Sequence, residues 1–155
     1  MKFSSKEDID VQIDQVFQMI SNFDAIERAA LRRGADVERL DKLQQPGVGM
    51  RWSAAFKARG RMRELEIEMT AFNPPNQMQF HSLAQGLESD FVVELVEMSR
   101  NRTRLGVQLD LRPRSISARL LVQSLKLART SLNEKFRKRL ADYARDLESR
   151  ASRTG

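Results

Sequence analysis

The sequence contains no cysteine, which removes disulfides, thiolate metal centres and thiol nucleophiles together. Its single histidine, His81, leaves too few imidazoles within one chain for a metal cage or a histidine-centred triad. No segment approaches the roughly 18 consecutive apolar residues of a bilayer-spanning helix. Met1 to Val11 lacks the apolar stretch of a secretory signal, so a cytoplasmic protein is expected. Internal repeats and low-complexity stretches are also missing. What remains is the balance of one globular unit: 155 residues, 41% hydrophobic and 31% charged. A single domain over 1–155 is expected, with the last few residues frayed.

Charge is unevenly placed. From Arg112 onward twelve Lys or Arg face only Glu134, Asp142, Asp146 and Glu148, a surplus of eight within a chain whose net charge is +6. The positive field therefore belongs to the C-terminal segment.

Apolar spacing divides the chain into three parts. Lys2 to Ile9 reads as a polar strand. Ile13, Val16, Phe17 and Ile20 then recur at helical spacing, and Asn22 or Asp24 can cap a second short helix ending near Gly34. From Met50 to Leu111 the period becomes two, with a further weak strand expected over Val37 to Leu43.

Antiparallel neighbours must share a face, so each turn length can be checked against parity. A turn at Arg59-Gly60 sets Trp52 beside Ile67, Ala54 beside Leu65 and Arg51 beside Glu68. A four-residue turn Asn73 to Asn76 sets Met69 beside Phe80 and Ala71 beside Met78. A turn at Gln85-Gly86 sets Phe80 beside Phe91. A three-residue turn Ser99 to Asn101, with Asn101 at positive φ, sets Val93 beside Val107. One face stays apolar throughout, which predicts a meander of at least five strands. Val92 and Val96 break the alternation near Phe91, so a bulge is expected there.

After Pro113 the helical period returns. Ser115 is the expected cap, and Leu121, Leu125, Ala128, Leu132, Phe136, Leu140, Tyr143 and Leu147 form one stripe. No Gly or Pro interrupts Ser115 to Ser152, which predicts a single helix of roughly 50 Å at about 1.5 Å per residue. The fold class is α+β. A curved antiparallel sheet of six to seven strands wraps a long C-terminal helix, with two short helices after the first strand.

Ile9 to Phe17, Gly47 to Trp52, Phe72 to Pro75 and Leu109 to Leu147 together resemble the START-like, Bet v 1-like (SRPBCC) superfamily, in its bacterial polyketide cyclase/dehydrase-type branch. Ile9 to Phe17 is similar to its first strand running into its first helix. Gly47-Val48-Gly49-Met50-Arg51-Trp52 is similar to its Gly-x-Gly lead into the sheet. Phe72-Asn73-Pro74-Pro75 resembles its proline turn, and Leu109 to Leu147 its last strand and helix. Gln12 stands where many relatives carry proline. The resemblance implies the helix-grip fold and a cavity between sheet and terminal helix that holds an apolar small molecule. It implies no shared catalytic set.

The expected cavity wall is made by the inward parity of the sheet. Trp52 and Phe56 come from one strand, Leu65, Ile67 and Met69 from the next, and Met78 and Phe80 from a third. Phe91 and Leu109 follow, and Leu125 and Ala128 contribute from the helix. Each residue alone reads first as ordinary core, but as a group they favour a cavity, because a curved sheet gripping one helix is difficult to fill, and Met and Phe are adaptable wall material. Arg63 shares this parity; it either meets a ligand carboxylate or extends its stem along apolar surface with its head in water. Arg129 at the edge of the stripe is open to the same two readings.

Glu64, Glu66 and Glu68 fall on the outer parity, as does His81, the natural suspect for proton transfer. Asp90 and Glu94 turn inward only if the bulge forms. No catalytic residue, metal ligand or cofactor is therefore expected. The sequence shows no nucleic-acid module and no aromatic interleaving beside its Lys and Arg. The basic helix reads as a solvated Lys- and Arg-rich face, with peripheral contact to an anionic membrane as the other reading. Ile116, Leu120 and Leu127 lie off the main stripe, available to the sheet edge or to a second subunit of a homodimer. The expected partner is an apolar or amphipathic ligand; an enzyme using the same cavity, or a partner-binding module, are the alternatives.

Overall fold

A computed structural model describes residues 1–58 and 60–154. Its elements run β1 (Lys2–Ile9), α1 (Ile13–Ile20), α2 (Phe23–Arg32), β2 (Asp36–Arg39), β3 (Arg51–Ala58), β4 (Arg61–Asn73), β5 (Gln77–Ala84), β6 (Leu87–Ser99), β7 (Arg102–Pro113), α3 (Ile116–Leu127) and α4 (Arg129–Thr154). All seven strands join one antiparallel sheet in the order β1-β7-β6-β5-β4-β3-β2. The helix-grip architecture read from the sequence is the one observed.

Side-chain parity fixes most of the register. Trp52 pairs with Ile67, Ala54 with Leu65 and Arg51 with Glu68. Arg59 itself lies outside the described residues. Phe80 pairs with Phe91 across a turn in which Gln85 and Gly86 both take positive φ, 50° and 79°. This is the twist-matched hairpin turn. A Cβ at Gly86 would also stand 2.3 Å from the Ser115 hydroxyl oxygen, so this position has two reasons to lack a side chain.

Four expectations need correction. Met69 pairs with Phe80, but a bulge between Met69 and Ala71 shifts the following register, and Phe72 rather than Ala71 lies opposite Met78. The turn thereby shortens to Pro74-Pro75-Asn76. Val93 pairs with Val107, yet the extra residue at the far end is taken up by an irregularity between Glu97 and Ser99. Asn101 does not take positive φ. The strand around Phe91 runs without a bulge from Leu87 to Glu97, so Val92 and Val96 simply stand on the outer face.

The fourth correction is the terminal helix. It is two segments, with Ala128 (φ −102°, ψ 18°) between them. Leu121 and Leu125 are half-buried, Ala128 is exposed, and Leu140 and Leu147 are buried. The stripe thus seats its C-terminal half and leaves its N-terminal half partly open. Among the described residues no helix is long and apolar enough to cross a membrane.

Capping follows local chemistry. The side chains of Asn22 and Ser115 accept from the backbone N–H of Ala25 and Ala118, each satisfying an orphan donor. Gln12 caps α1 without a side-chain bond, at φ −63°, the angle proline would impose. Thr103, the buried polar residue of β7, donates its hydroxyl hydrogen to the Val11 carbonyl at 2.8 Å and ties the sheet to the start of α1.

Candidate functional site

The inner face of the sheet changes character along its length. At one end Met69, Met78, Val93, Leu95, Leu105 and Val107 are buried, sealed by Val16, Phe17 and Ile20 of α1 and by Leu140, Ala144, Leu147 and Ala151 of α4. Moving toward the β5–β6 turn, Phe80, Phe91 and Leu109 are half-buried, as are Ile67, Ser82, Ser89 and Leu111 in the next row. Leu65, Ala84 and Leu87 continue this trend, and so do Leu121 and Leu125 on the facing helix. The inner face is therefore packed at its base and only partly covered toward the β5–β6 turn and α3.

Aromatic rings line the transition. Trp52 meets Phe80 at 6.1 Å between centroids and Phe80 meets Phe91 at 6.5 Å, both tilted. Phe23 of α2 closes the cluster, 5.3 Å from Trp52 and 6.2 Å from Phe80. Arg39 lies over the Trp52 ring at 5.6 Å, a cation held on the aromatic quadrupole. The apolar wall carries one polar notch, where the hydroxyls of Ser82 and Ser89 bond to each other.

The residues expected from sequence are distributed along this face. Trp52, Met69 and Met78 are buried at its base. Phe56, Leu65, Ile67, Phe80, Phe91, Leu109 and Leu125 are half-buried. Arg63 is half-buried opposite Phe56 toward the open end. Ala128 stands exposed at the helix break. Arg129 is also exposed, its guanidinium 3.4 Å from the Lys2 carbonyl oxygen. Sequence spacing missed Phe23, whose only signal is its position just after a capping Asn, and the Ser82–Ser89 pair, because serine on an apolar parity reads as interruption.

His81, Asp90 and Glu94 lie on the other face of the sheet. His81 Nδ1 is 2.9 Å from Asp90 Oδ1, and Arg112 binds Asp90, Glu88 and Asp110 together. Burial alone would raise the Asp90 carboxyl, but the His81 and Arg112 contacts outweigh it and bring it below its ordinary value. Glu94 is exposed on the same side. Arg114 and then Arg112 hold Glu88 down at about 2. At the sheet's opposite edge, burial pushes Asp41 upward. The backbone N–H groups of Arg51 and Leu43 and the Arg39 guanidinium more than offset this, leaving it also at about 2.

These depressed values set an acid limit. Glu88 and Asp41 have ordinary values of 4.5 and 3.8, so their stabilising contribution is complete above that range and lost as pH falls toward 2. Thermal midpoints followed by circular dichroism should decline across that window, and Glu88→Gln should flatten the decline. An unchanged slope in the variant would mean that Glu88 contributes nothing to acid sensitivity.

Two recesses lie away from this inner face. One of about 490 Å³ lies between Asp14, Phe17 and Gln18 of α1 and Pro74-Pro75; another of about 280 Å³ lies among Ser21 to Asp24, Arg39, Leu43, Gln44, Pro46 and Met50. Neither contains any of the expected wall residues.

No family model matches the sequence, and no curated protein matches it. Solved structures do resemble it. The Zhui aromatase/cyclase from Streptomyces sp. R1128 superposes with a TM-score of 0.69 at 14% identity, covering 97% of this chain and 95% of that one. Ara h 8.0201 gives 0.59 at 12%, covering 88% and 96%. A START superfamily protein from Mycobacterium smegmatis gives 0.54 at 12%, covering 86% and 95%. At such identities the likeness is one of fold. The chain has the START-like, Bet v 1-like helix-grip fold, in the form that the Streptomyces aromatase/cyclase also takes.

Proposed function

We propose that this protein binds and carries an apolar or amphipathic small molecule, of lipid, quinone or polyketide type, in the groove between the sheet and its terminal helices. The supporting observation is the matched loosening of both walls: inner-face residues of the sheet and of the helix become half-buried toward the same end. Half-buried Leu, Ile and Phe retain apolar area in contact with water. A ligand that removes that area gains roughly 25 cal/mol per Å² before ordering costs. Ser82 and Ser89 offer it one hydrogen-bonding position, and Arg63 offers a cation near the mouth. The protein acts in the cytoplasm as a monomer or homodimer, and its basic C-terminal segment brings it to anionic membrane.

Likeness to an aromatase/cyclase raises a second reading, catalysis in the same groove. It requires an acid or base facing the ligand, whereas His81, Asp90 and Glu94 all sit on the outer face. Carriage is therefore preferred.

Native mass spectrometry of the freshly purified protein, followed by organic extraction, tests the proposal. A bound species of lipid-like mass, lost on extraction, is the expected result. A ligand-free spectrum together with no uptake of added fatty acid or quinone would reject carriage.

A further inference from the structure

Helix α3 has two apolar faces, and only one is used by the fold. Its buried residues are Ala118 and Val122, with Leu121 and Leu125 half-buried beside them. At 3.6 residues per turn, Ile116, Leu120 and Leu127 fall within about 40° of one another on the side opposite Ala118 and Val122. They are 80%, 62% and 92% exposed. The fold leaves most of each side chain uncovered. Single exposed leucines are ordinary surface, but three large aliphatic side chains on one narrow arc of a short helix are not scatter.

The charge around this arc selects its partner. No acidic residue occurs between Asp110 and Glu134, while Arg112, Arg114, Arg119, Lys126 and Arg129 all do. Arg119 and Lys126 flank the arc on one side and are exposed. Glu88 and Asp110, on the strands β6 and β7 that precede α3, are engaged by Arg114 and Arg112. A bare apolar arc bordered by cations without anions matches a layer of acidic lipid headgroups over acyl chains.

We infer that α3 is the element that docks on anionic membrane, lying in the headgroup plane with Ile116, Leu120 and Leu127 buried in the lipid. This rests on the reading that the basic C-terminal segment meets a membrane, and it names the face that does so. Twelve residues span about 18 Å, too short to cross but suited to lying flat. Leu121 and Leu125 on the opposite side border the groove, so docking would place its open end against the bilayer.

Flotation of the full chain with vesicles tests both levels. Vesicles of phosphatidylcholine alone are compared with equal parts phosphatidylcholine and phosphatidylserine. The unaltered chain should float with the acidic vesicles only. The double variant Leu120→Glu/Leu127→Glu should lose about tenfold or more in binding, as removal of two buried aliphatic anchors implies. Arg119→Gln/Lys126→Gln should weaken binding and reduce its salt dependence. Both pairs are exposed, and an unchanged thermal midpoint verifies folding. If the unaltered chain binds neither vesicle, the membrane reading itself fails. If it binds acidic vesicles and the double Glu variant binds them equally well, the membrane reading survives and α3 is overturned as the docking face. Conversion of a dimer into a monomer by the double Glu variant, with lipid binding unaffected, would reassign the arc to a subunit contact.

Discussion

Phe80→Ala should reduce retention of an apolar fluorescent probe such as anilinonaphthalene sulfonate by about tenfold, while His81→Ala leaves it unchanged. The factor follows from removing a ring that contributes about 1.5 kcal/mol or more of buried apolar contact. Phe80 and His81 are neighbours in β5 and project to opposite faces. Phe80 meets Trp52, Phe91 and Phe23, while His81 meets Asp90. The pair thus compares the two faces of one strand with nearly the same backbone perturbation. Titration of the probe against each variant gives the ratio directly. Equal losses would mean that the probe does not occupy the groove, and carriage would have to be sought elsewhere on the surface.

Leu147→Ala should cost about 3 kcal/mol of unfolding free energy, as large-to-small changes at well-packed sites do. Leu147 has no exposed area and joins α4 to the cluster containing Ile9, Val16, Met69 and Leu105. Its loss opens a void at the packed base, where helix and sheet depend on each other. Leu120→Ala on α3 is the contrast: exposed, and expected to change stability by no more than about 0.5 kcal/mol. Urea denaturation measures both. A Leu147 variant as stable as the Leu120 variant would show that α4 is not seated on the sheet by its C-terminal half.

The sheet was legible because strand pairing is a parity problem. Once one face is apolar, only certain turn lengths keep Trp52, Ile67, Phe80 and Phe91 together, and those pairings form. Legibility failed where parity became ambiguous. Ala71 and Phe72 are both apolar, so alternation could not say which faced inward, and the bulge that chose Phe72 left no mark in the pattern. The helix break failed for a related reason. Ala128 continues the stripe without the Gly or Pro that announces an interruption.

Groove shape was beyond the sequence altogether. Alternation reports which side a residue faces, not how closely a helix covers it. The same spacing describes buried Met69 and half-buried Ile67 two positions away. Phe23, which completes the aromatic cluster, comes from an element that periodicity assigned only a capping signal.

The margins of the sheet carry a last consequence. It ends on one side in a strand of four residues with Asp36 and Glu38 exposed, and on the other in β1, which bears Lys2, Lys6 and Asp8 on its outer face. Neither border offers the long, flat, uncharged run that recruits a strand from another molecule. An open sheet of this kind can stay concave and accessible inside while resisting fibre growth through its rims.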